Sequence, residues 1–339
     1  MTTILAAIFV FGVLVTVHEF GHFITAKLTG MRVDEFAIGF GPNIFQKKYG
    51  ETLYSLRIIP LGGYNNIAGM EPGEEQDERS FMSKPLPFRM LVILAGVIMN
   101  FILPVFLFCA IFLINGLDRP VDQPIIGTVI ENKVAAQAGM LKGDRIVQIE
   151  GVEITSWNGL VETLQKIGDK KPITVVAERD GVKKAYSLNP VFDKNYNRPL
   201  IGIMPEFEQY QPGVIEAFTM GATYTKHIML MMVDGLQKII TGAAPAEVSG
   251  PIGIAKIAGE AAAHGMMSLL NLVAILSINL GVINLLPLPA LDGGHFVLLI
   301  LEFFRGKPLG AKAATAVQTV GVAMIISLTV WAVFNDISR

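Results

Sequence analysis

Long apolar runs along the chain are separated by stretches with a different period. The first run, about Thr3 to Ala26 within 1–30, is long enough at 1.5 Å per residue to cross a bilayer with some tilt. Further apolar runs fall at 88–117, 266–304 and 311–335. Between the first two runs, residues 31–87 shift to short β-like segments, Arg32–Gly39 and Ile44–Tyr49, with Gly41-Pro42 between them. A turn at Tyr49-Gly50-Glu51 leads into Thr52–Ile59, and Pro60-Leu61-Gly62-Gly63-Tyr64 is expected to end the sheet. Glu71 to Arg79 reads as a charged linker. Residues 121–207 alternate strands and turns like a soluble α+β domain, with a helix near Asn158–Lys166 and strands at Ile173–Arg179 and Lys183–Asn189. In 208–265, Glu216, Lys226, His227, Asp234 and Lys238 interrupt an otherwise apolar stretch, which reads as an amphipathic helix lying in the membrane interface. Ser249–Ile254 reads as a turn-rich connector. The third apolar run breaks at Leu286-Pro287-Leu288-Pro289 and resumes to Phe304. The expected fold class is an α-helical polytopic membrane protein. It has about four transmembrane helices, a membrane-associated β hairpin or sheet after the first, and an inserted α+β domain.

Composition agrees: of 339 residues, 52% are hydrophobic and only 17% charged, with a mean hydropathy of +0.51. A net charge of −2 excludes a nucleic-acid binder of the usual basic kind. The single cysteine, Cys109, excludes an internal disulfide and a cysteine-based metal site. No Lys or Arg precedes Lys27, so the first run does not read as a cleaved signal peptide. Lys27 and Arg32 follow it and mark that end as cytoplasmic. Four spans then put both termini and the inserted domain on the extracytoplasmic side of the membrane.

The chemistry concentrates in the first run, where His18-Glu19-Phe20-Gly21-His22 is an HExxH motif. Histidines at i and i+4 share one helix face and can hold one zinc ion, with Glu19 as general base. The third run supplies a partner. Asp292 follows the Pro-x-Pro break, and an ionisable residue at membrane depth is a functional-site candidate by default. Asp292 would be the third ligand, leaving a fourth position open, as catalytic zinc requires. His295, one helical turn on, competes for that place, and a purely structural Asp292 capping the resumed helix is the plain alternative. Asn100, four residues after Gly96, serves either helix packing or the lining of the site. His227 and His264 are isolated, and Met229, Met231 and Met232 read as packing.

These motifs resemble a known family. HEFGH at residues 18–22 with Asn284-Leu-Leu-Pro-Leu-Pro-Ala-Leu-Asp292-Gly looks like the site-2 protease family of intramembrane zinc metalloproteases, of the RseP type, over nearly the whole chain. Ala138–Gly151 (AGMLKGDRIVQIEG) resembles a bacterial PDZ domain. The resemblance implies one Zn²⁺ per chain held by His18, His22 and Asp292, with Glu19 as base. It implies substrate contacts at Asn284 and at Gly62 and Gly63, which match the family's PxGG stretch after a re-entrant β structure. Its partners would be single-span membrane proteins already trimmed by another protease, such as anti-sigma factors or signal-peptide remnants, the lipid bilayer, and a peptide or chain-end ligand of the PDZ domain. Two departures stand out. The chain has room for one PDZ domain rather than a tandem pair, and Asn65-Asn66 follows Tyr64 where the family often has Val. Other readings are a zinc-dependent membrane hydrolase of lipidated or prenylated peptides, and a PDZ membrane scaffold with a dead metal site.

Overall fold

The computed structural model describes residues 2–70, 74, 76–168, 172–193, 198–245 and 249–338. Glu71, Pro72, Gly73 and Glu75 of the expected charged linker lie outside them. The chain forms two units, one of residues 1–114 with 213–339 and one of residues 115–212.

The first unit opens with α1 (Thr2–Leu28), which carries HExxH in its second half. Two strands follow, β1 (Val33–Tyr49) and β2 (Thr52–Ile67). The expected break at Gly41-Pro42 does not interrupt β1. The chain bends there instead, and the register jumps between the pairs Phe40↔Ile59 and Asn43↔Arg57. Gly39 and Gly41 absorb the bend at φ 91° and 86°, angles that favour glycine. Nor does Pro60–Tyr64 end the sheet, because β2 continues to Ile67. Pairing wraps back on itself. Tyr49↔Thr52 through Asn43↔Arg57 is an ordinary antiparallel hairpin. Residues 35–38 also partner 53–56 with both numbers rising together, and 33–38 partner 63–67 in the opposite sense, Ile38↔Gly63 to Val33↔Ile67. In space the order is therefore 43–49, 52–57, 33–38, 63–67, with Gly63–Ile67 at the edge. Behind this sheet Glu35 accepts from Ser55 Oγ, Arg57 and Tyr64 Oη at 2.6 to 2.8 Å. Burial works to raise the Glu35 carboxyl, but these donors outweigh it and hold it below its ordinary value.

α2 runs Leu86–Asn115, two residues earlier at each end than the apolar run suggested. Arg89 at its start pairs with Glu302 at 2.5 Å, and both are largely buried.

The inserted unit has its own core, including Ile126, Met140, Ile146, Ile149, Leu160, Ile173 and Leu188. Its elements are β3 (Leu117–Pro120), β4 (Ile126–Val129), α3 (Val134–Gln137), β5 (Arg145–Ile149), β6 (Val152–Glu153), α4 (Trp157–Ile167), β7 (Ile173–Arg179), β8 (Val182–Leu188), β9 (Val191–Asp193), β10 (Arg198–Leu200), β11 (Ile203–Pro205) and β12 (Phe207–Tyr210). The main sheet has the order β6-β5-β7-β8; β4 pairs with β11 and β3 with β12. The last pair extends the unit beyond the expected 121–207 at both ends. Ser156 caps α4 by accepting from Gly159 N at 3.0 Å. Buried Asp144 accepts from Arg179 Nε at 2.5 Å and from Leu141 N at 3.0 Å. Burial alone would raise its carboxyl, but Arg179 and the Leu141 N–H outweigh that and hold it below the usual range.

The first unit resumes with α5 (Val214–Ile240) and α6 (Pro251–Ala263). The expected connector at Ser249–Ile254 is thus largely helix: Pro251 stands in its first turn, where a fixed φ and a missing N–H cost nothing. Asp336 accepts from Gly250 N and Gly253 N at 2.9 and 2.8 Å. The apolar run 266–304 is two helices, α7 (Met266–Asn284) and α8 (Asp292–Arg305), because two prolines cannot continue a helical ladder. α9 (Ala311–Ser338) closes the chain. Among the described residues, four helices are long and apolar enough to cross a membrane: α1, α2, α7 and α9.

A candidate metal centre beside a strand edge

The Pro-x-Pro break sets the position of Asp292. Ala290 takes φ 67°, a left-handed conformation that costs a residue with a Cβ about 1 kcal/mol. The chain turns there, and Leu291 leads into α8 with Asp292 as its first residue. Gly293 and Gly294 let the loop fold onto that first turn: a Cβ would lie 2.3 Å from the Leu286 carbonyl oxygen at Gly293 and 2.2 Å from that of Leu288 at Gly294. Asp292 is thereby delivered to the HExxH face of α1.

His18, His22 and Asp292 meet in a nearly equilateral triangle. The two Nε2 atoms are 3.3 Å apart, and Asp292 Oδ2 lies 3.4 Å from His18 Nε2 and 3.5 Å from His22 Nε2. Ligands at the zinc distances of about 2.0–2.1 Å in a tetrahedron are separated by roughly 3.3–3.4 Å. Asp292 Oδ2 is otherwise buried with no hydrogen-bond partner among the described residues. A buried carboxylate oxygen facing two ring nitrogens calls for a cation. The histidines are oriented for the same purpose. His22 Nδ1 donates to the Val92 carbonyl at 2.8 Å, so its Nε2 lone pair faces the triangle. His18 Nδ1 lies 3.0 Å from Asn100 Nδ2, while Oδ1 of that carboxamide is buried and meets no hydrogen-bond partner among the described residues. A His18 that offers Nε2 keeps its proton on Nδ1, and an Asn100 carboxamide turned end for end sets Oδ1 to accept it. The donor set therefore fits zinc by type, spacing and tautomer.

Two glycines bring α1 and α2 together. A Cβ on Gly21 would lie 2.4 Å from the Ala95 carbonyl oxygen. A Cβ on Gly96 would lie 2.3 Å from His22 Nε2 and 2.8 Å from His18 Cε1. Gly96 thus leaves the space that the imidazoles fill. In the sequence alone Gly96 reads only as a small residue suited to helix packing. Ser277 on α7 donates to the Asn100 carbonyl at 2.8 Å and joins a third helix to the same point.

Glu19 points to the sheet edge. Its Oε2 accepts from Asn65 Nδ2 at 2.7 Å, and its main-chain oxygen accepts from the same nitrogen at 2.8 Å. Gly63 lies along the same side of the edge strand, with space for a Cβ only 3.2 Å from Glu19 Cγ. Gly62 is not brought to the site. It sits at φ 135° beneath the Phe40 ring, where a Cβ would lie 2.0 Å from that ring. A cavity of about 300 Å³ joins these parts and is lined by His18, Glu19, Asn65, Asn284, Asp292 and His295 among others. Asn284 ends α7 and is buried. His295 reaches the cavity wall but stands outside the cluster of potential metal ligands formed by His18, His22 and Asp292. His227 lies exposed on α5 and His264 caps α6, away from the site.

Known proteins resemble this chain over nearly its whole length. The family model described as Peptidase family M50 matches residues 6–328. A protein of Fusobacterium nucleatum is 36% identical over 99% of this chain and 98% of its own length. The zinc metalloprotease RasP of Bacillus licheniformis is 32% identical over 100% of this chain and 99% of its own. The regulator of sigma-W protease RasP of Bacillus subtilis shows the same figures, 32%, 100% and 99%. Among solved structures, the PDZ domain of an SdrC-like protein from Listeria monocytogenes covers 26% of this chain and 93% of its own, at 18% identity and a TM-score of 0.22.

Proposed function

Because the chain belongs to peptidase family M50, and is a membrane zinc metalloprotease on that footing, we propose that it hydrolyses a peptide bond within or beside the membrane-spanning segment of a single-span protein. The observation that carries this reading is the ligand triangle of His18, His22 and Asp292, set on helices of membrane-spanning length with Glu19 facing a strand edge. Family membership sets aside the scaffold reading.

His18, His22 and Asp292 would hold the ion. When bound, zinc polarises the scissile carbonyl and acidifies a water. Glu19 takes a proton from the attacking water and returns it to the leaving amine. The remaining residues deliver the substrate. A helical segment hides its carbonyls in i to i−4 bonds and must open before attack. Gly63–Ile67 is, among the described residues, the free edge of the sheet next to Glu19, so an opened segment can add to it as a further strand. Asn284 lines the cavity from the opposite side and is a second contact for the opened chain. Proline substitutions along the edge are expected to slow cleavage, and unchanged cleavage would count against strand addition. The Bacillus subtilis relative is named a regulator of sigma-W, which favours an anti-sigma factor over a signal-peptide remnant as the substrate class in this reading.

Residues 115–212 are the PDZ domain of this reading and lie, with both termini, on the extracytoplasmic side. A phosphatase that works only outside the cytoplasm should be active when fused after Arg339, and its silence would reverse the orientation. If the domain screens substrate size, a variant lacking it should alone cut a substrate with an untrimmed outer domain.

The direct test is mass spectrometry of a detergent-solubilised reaction with a single-span peptide lacking its outer domain. Wild type should cut inside the span with one zinc per chain. Glu19→Gln should keep the zinc and lose about 10²–10⁴ in rate. Equal cutting by both would refute Glu19 as the base.

A further inference from the structure

Asparagine is depleted in strands, yet Asn65 sits in the middle of the edge strand Gly63–Ile67. Side chains alternate along a strand, so Gly63, Asn65 and Ile67 share one side and Tyr64 and Asn66 the other. The Asn65 side faces α1. Both protons of Nδ2 are committed to Glu19, one to the main-chain oxygen at 2.8 Å and one to Oε2 at 2.7 Å. The other end of the same carboxamide, Oδ1, is buried and meets no hydrogen-bond partner among the described residues. An unpaired buried acceptor is costly and marks a place where a donor is missing. Asn65 is one of the residues in the wall of the cavity that also holds Glu19 and Asp292.

We propose that Asn65 is a positioning residue that ties the general base to the bound substrate. Nδ2 fixes the Glu19 carboxylate against its own helix, and Oδ1 accepts a hydrogen bond from a main-chain N–H of the opened peptide lying along the strand edge. The inference rests on the protease reading above. The Glu19 carboxylate is therefore held by the strand that receives the substrate, and base and scissile bond share one frame.

Valine provides the test, because it is the better strand former and a merely structural Asn65 would tolerate it. Full-length wild type, Asn65→Val and Asn65→Asp are compared in detergent on the single-span peptide, with kcat, KM, zinc content and thermal midpoint measured for each. Asn65→Val should lose about 10- to 100-fold in kcat and gain in KM, the scale of a lost hydrogen bond to a charged group. Its zinc should stay at one per chain and its thermal midpoint should not fall. Asn65→Asp has the same shape and keeps an acceptor, but it replaces the two N–H donors with a second carboxyl set against Glu19. It should lose kcat while KM stays within about twofold. An Asn65→Val variant with both constants within about twofold of wild type overturns the inference. So does loss of zinc in that variant, which would place Asn65 in support of the ligands instead. A wild type that cuts no single-span peptide overturns the protease reading and this inference together, whereas an active wild type beside an equally active Asn65→Val overturns this inference alone.

Discussion

Replacing Gly96 by alanine adds one methyl group at the most crowded point of the site. The new Cβ would lie 2.3 Å from His22 Nε2, 2.7 Å from His22 Cε1 and 2.8 Å from His18 Cε1. Non-bonded heavy atoms sit at about 3.5 Å or more, so the His22 ring would have to move by roughly 1.2 Å. It has little freedom to do so. Nδ1 is held by the Val92 carbonyl at 2.8 Å, and swinging the ring away breaks that bond. Moving Nε2 by that distance also opens the triangle whose sides are now 3.3 to 3.5 Å, whereas zinc–ligand distances tolerate about ±0.2 Å. The expected result is loss of zinc, measured by atomic absorption after dialysis against a weak chelator. Wild type should retain one zinc per chain and Gly96→Ala less than about a tenth, the order of a 10- to 100-fold or greater loss of affinity. The helix itself should not suffer, because alanine favours a helix over glycine by roughly 0.8–1 kcal/mol. Circular dichroism in detergent should therefore be unchanged while cleavage is abolished. A Gly96→Ala protein with full zinc and full activity would refute both the clash and the placement of the site against α2.

Two further outcomes follow from the geometry. Ala290 at φ 67° is strained by its Cβ, so Ala290→Gly should raise stability by up to about 1 kcal/mol, read from the thermal midpoint, and a fall would argue against strain there. In the inserted unit, burial opposes the charged form of Asp144, but Arg179 and the Leu141 N–H lower its folded pKa below the unfolded value of about 3.9. Its contribution to stability is complete above that pH and is lost as pH falls through the lowered folded value. Arg179→Met leaves burial opposing the charged form, so hydrogen-exchange protection of residues 115–212 in the full chain should be lower than in wild type at neutral pH, and the gap should narrow as pH falls and Asp144 is protonated; a gap that does not change with pH would discount the pair.

The hairpin after α1 shows where one-dimensional reading reached its limit. Its strand character was plain from the alternation of residues 32–59, but its ends were misplaced at Gly41-Pro42 and at Pro60–Tyr64. Both stretches carry residues that usually stop strands. Here they bend the chain, and the pairing of 33–38 with both 53–56 and 63–67 keeps it in the sheet. Such a wrap depends on which segments meet in space, and no local period encodes it. Asn65 stood out only as a departure from a family pattern, and Gly96 only as a small residue in a helix. Gly62 was expected at the substrate site, yet it accommodates Phe40.

What the sequence alone determined is what helical geometry makes local. The i, i+4 spacing puts His18 and His22 on one face, the apolar runs set the spanning helices, and two prolines break the third run before Asp292. What only the tertiary structure decided is how distant segments converge. The turn at Ala290 brings Asp292 within 3.5 Å of both imidazoles, the Val92 carbonyl sets the tautomer of His22, Gly96 leaves room for both rings, and the edge strand grips Glu19 through Asn65. These contacts join residues tens to hundreds of positions apart, through main-chain atoms and empty space that carry no signal in the identity of any single residue.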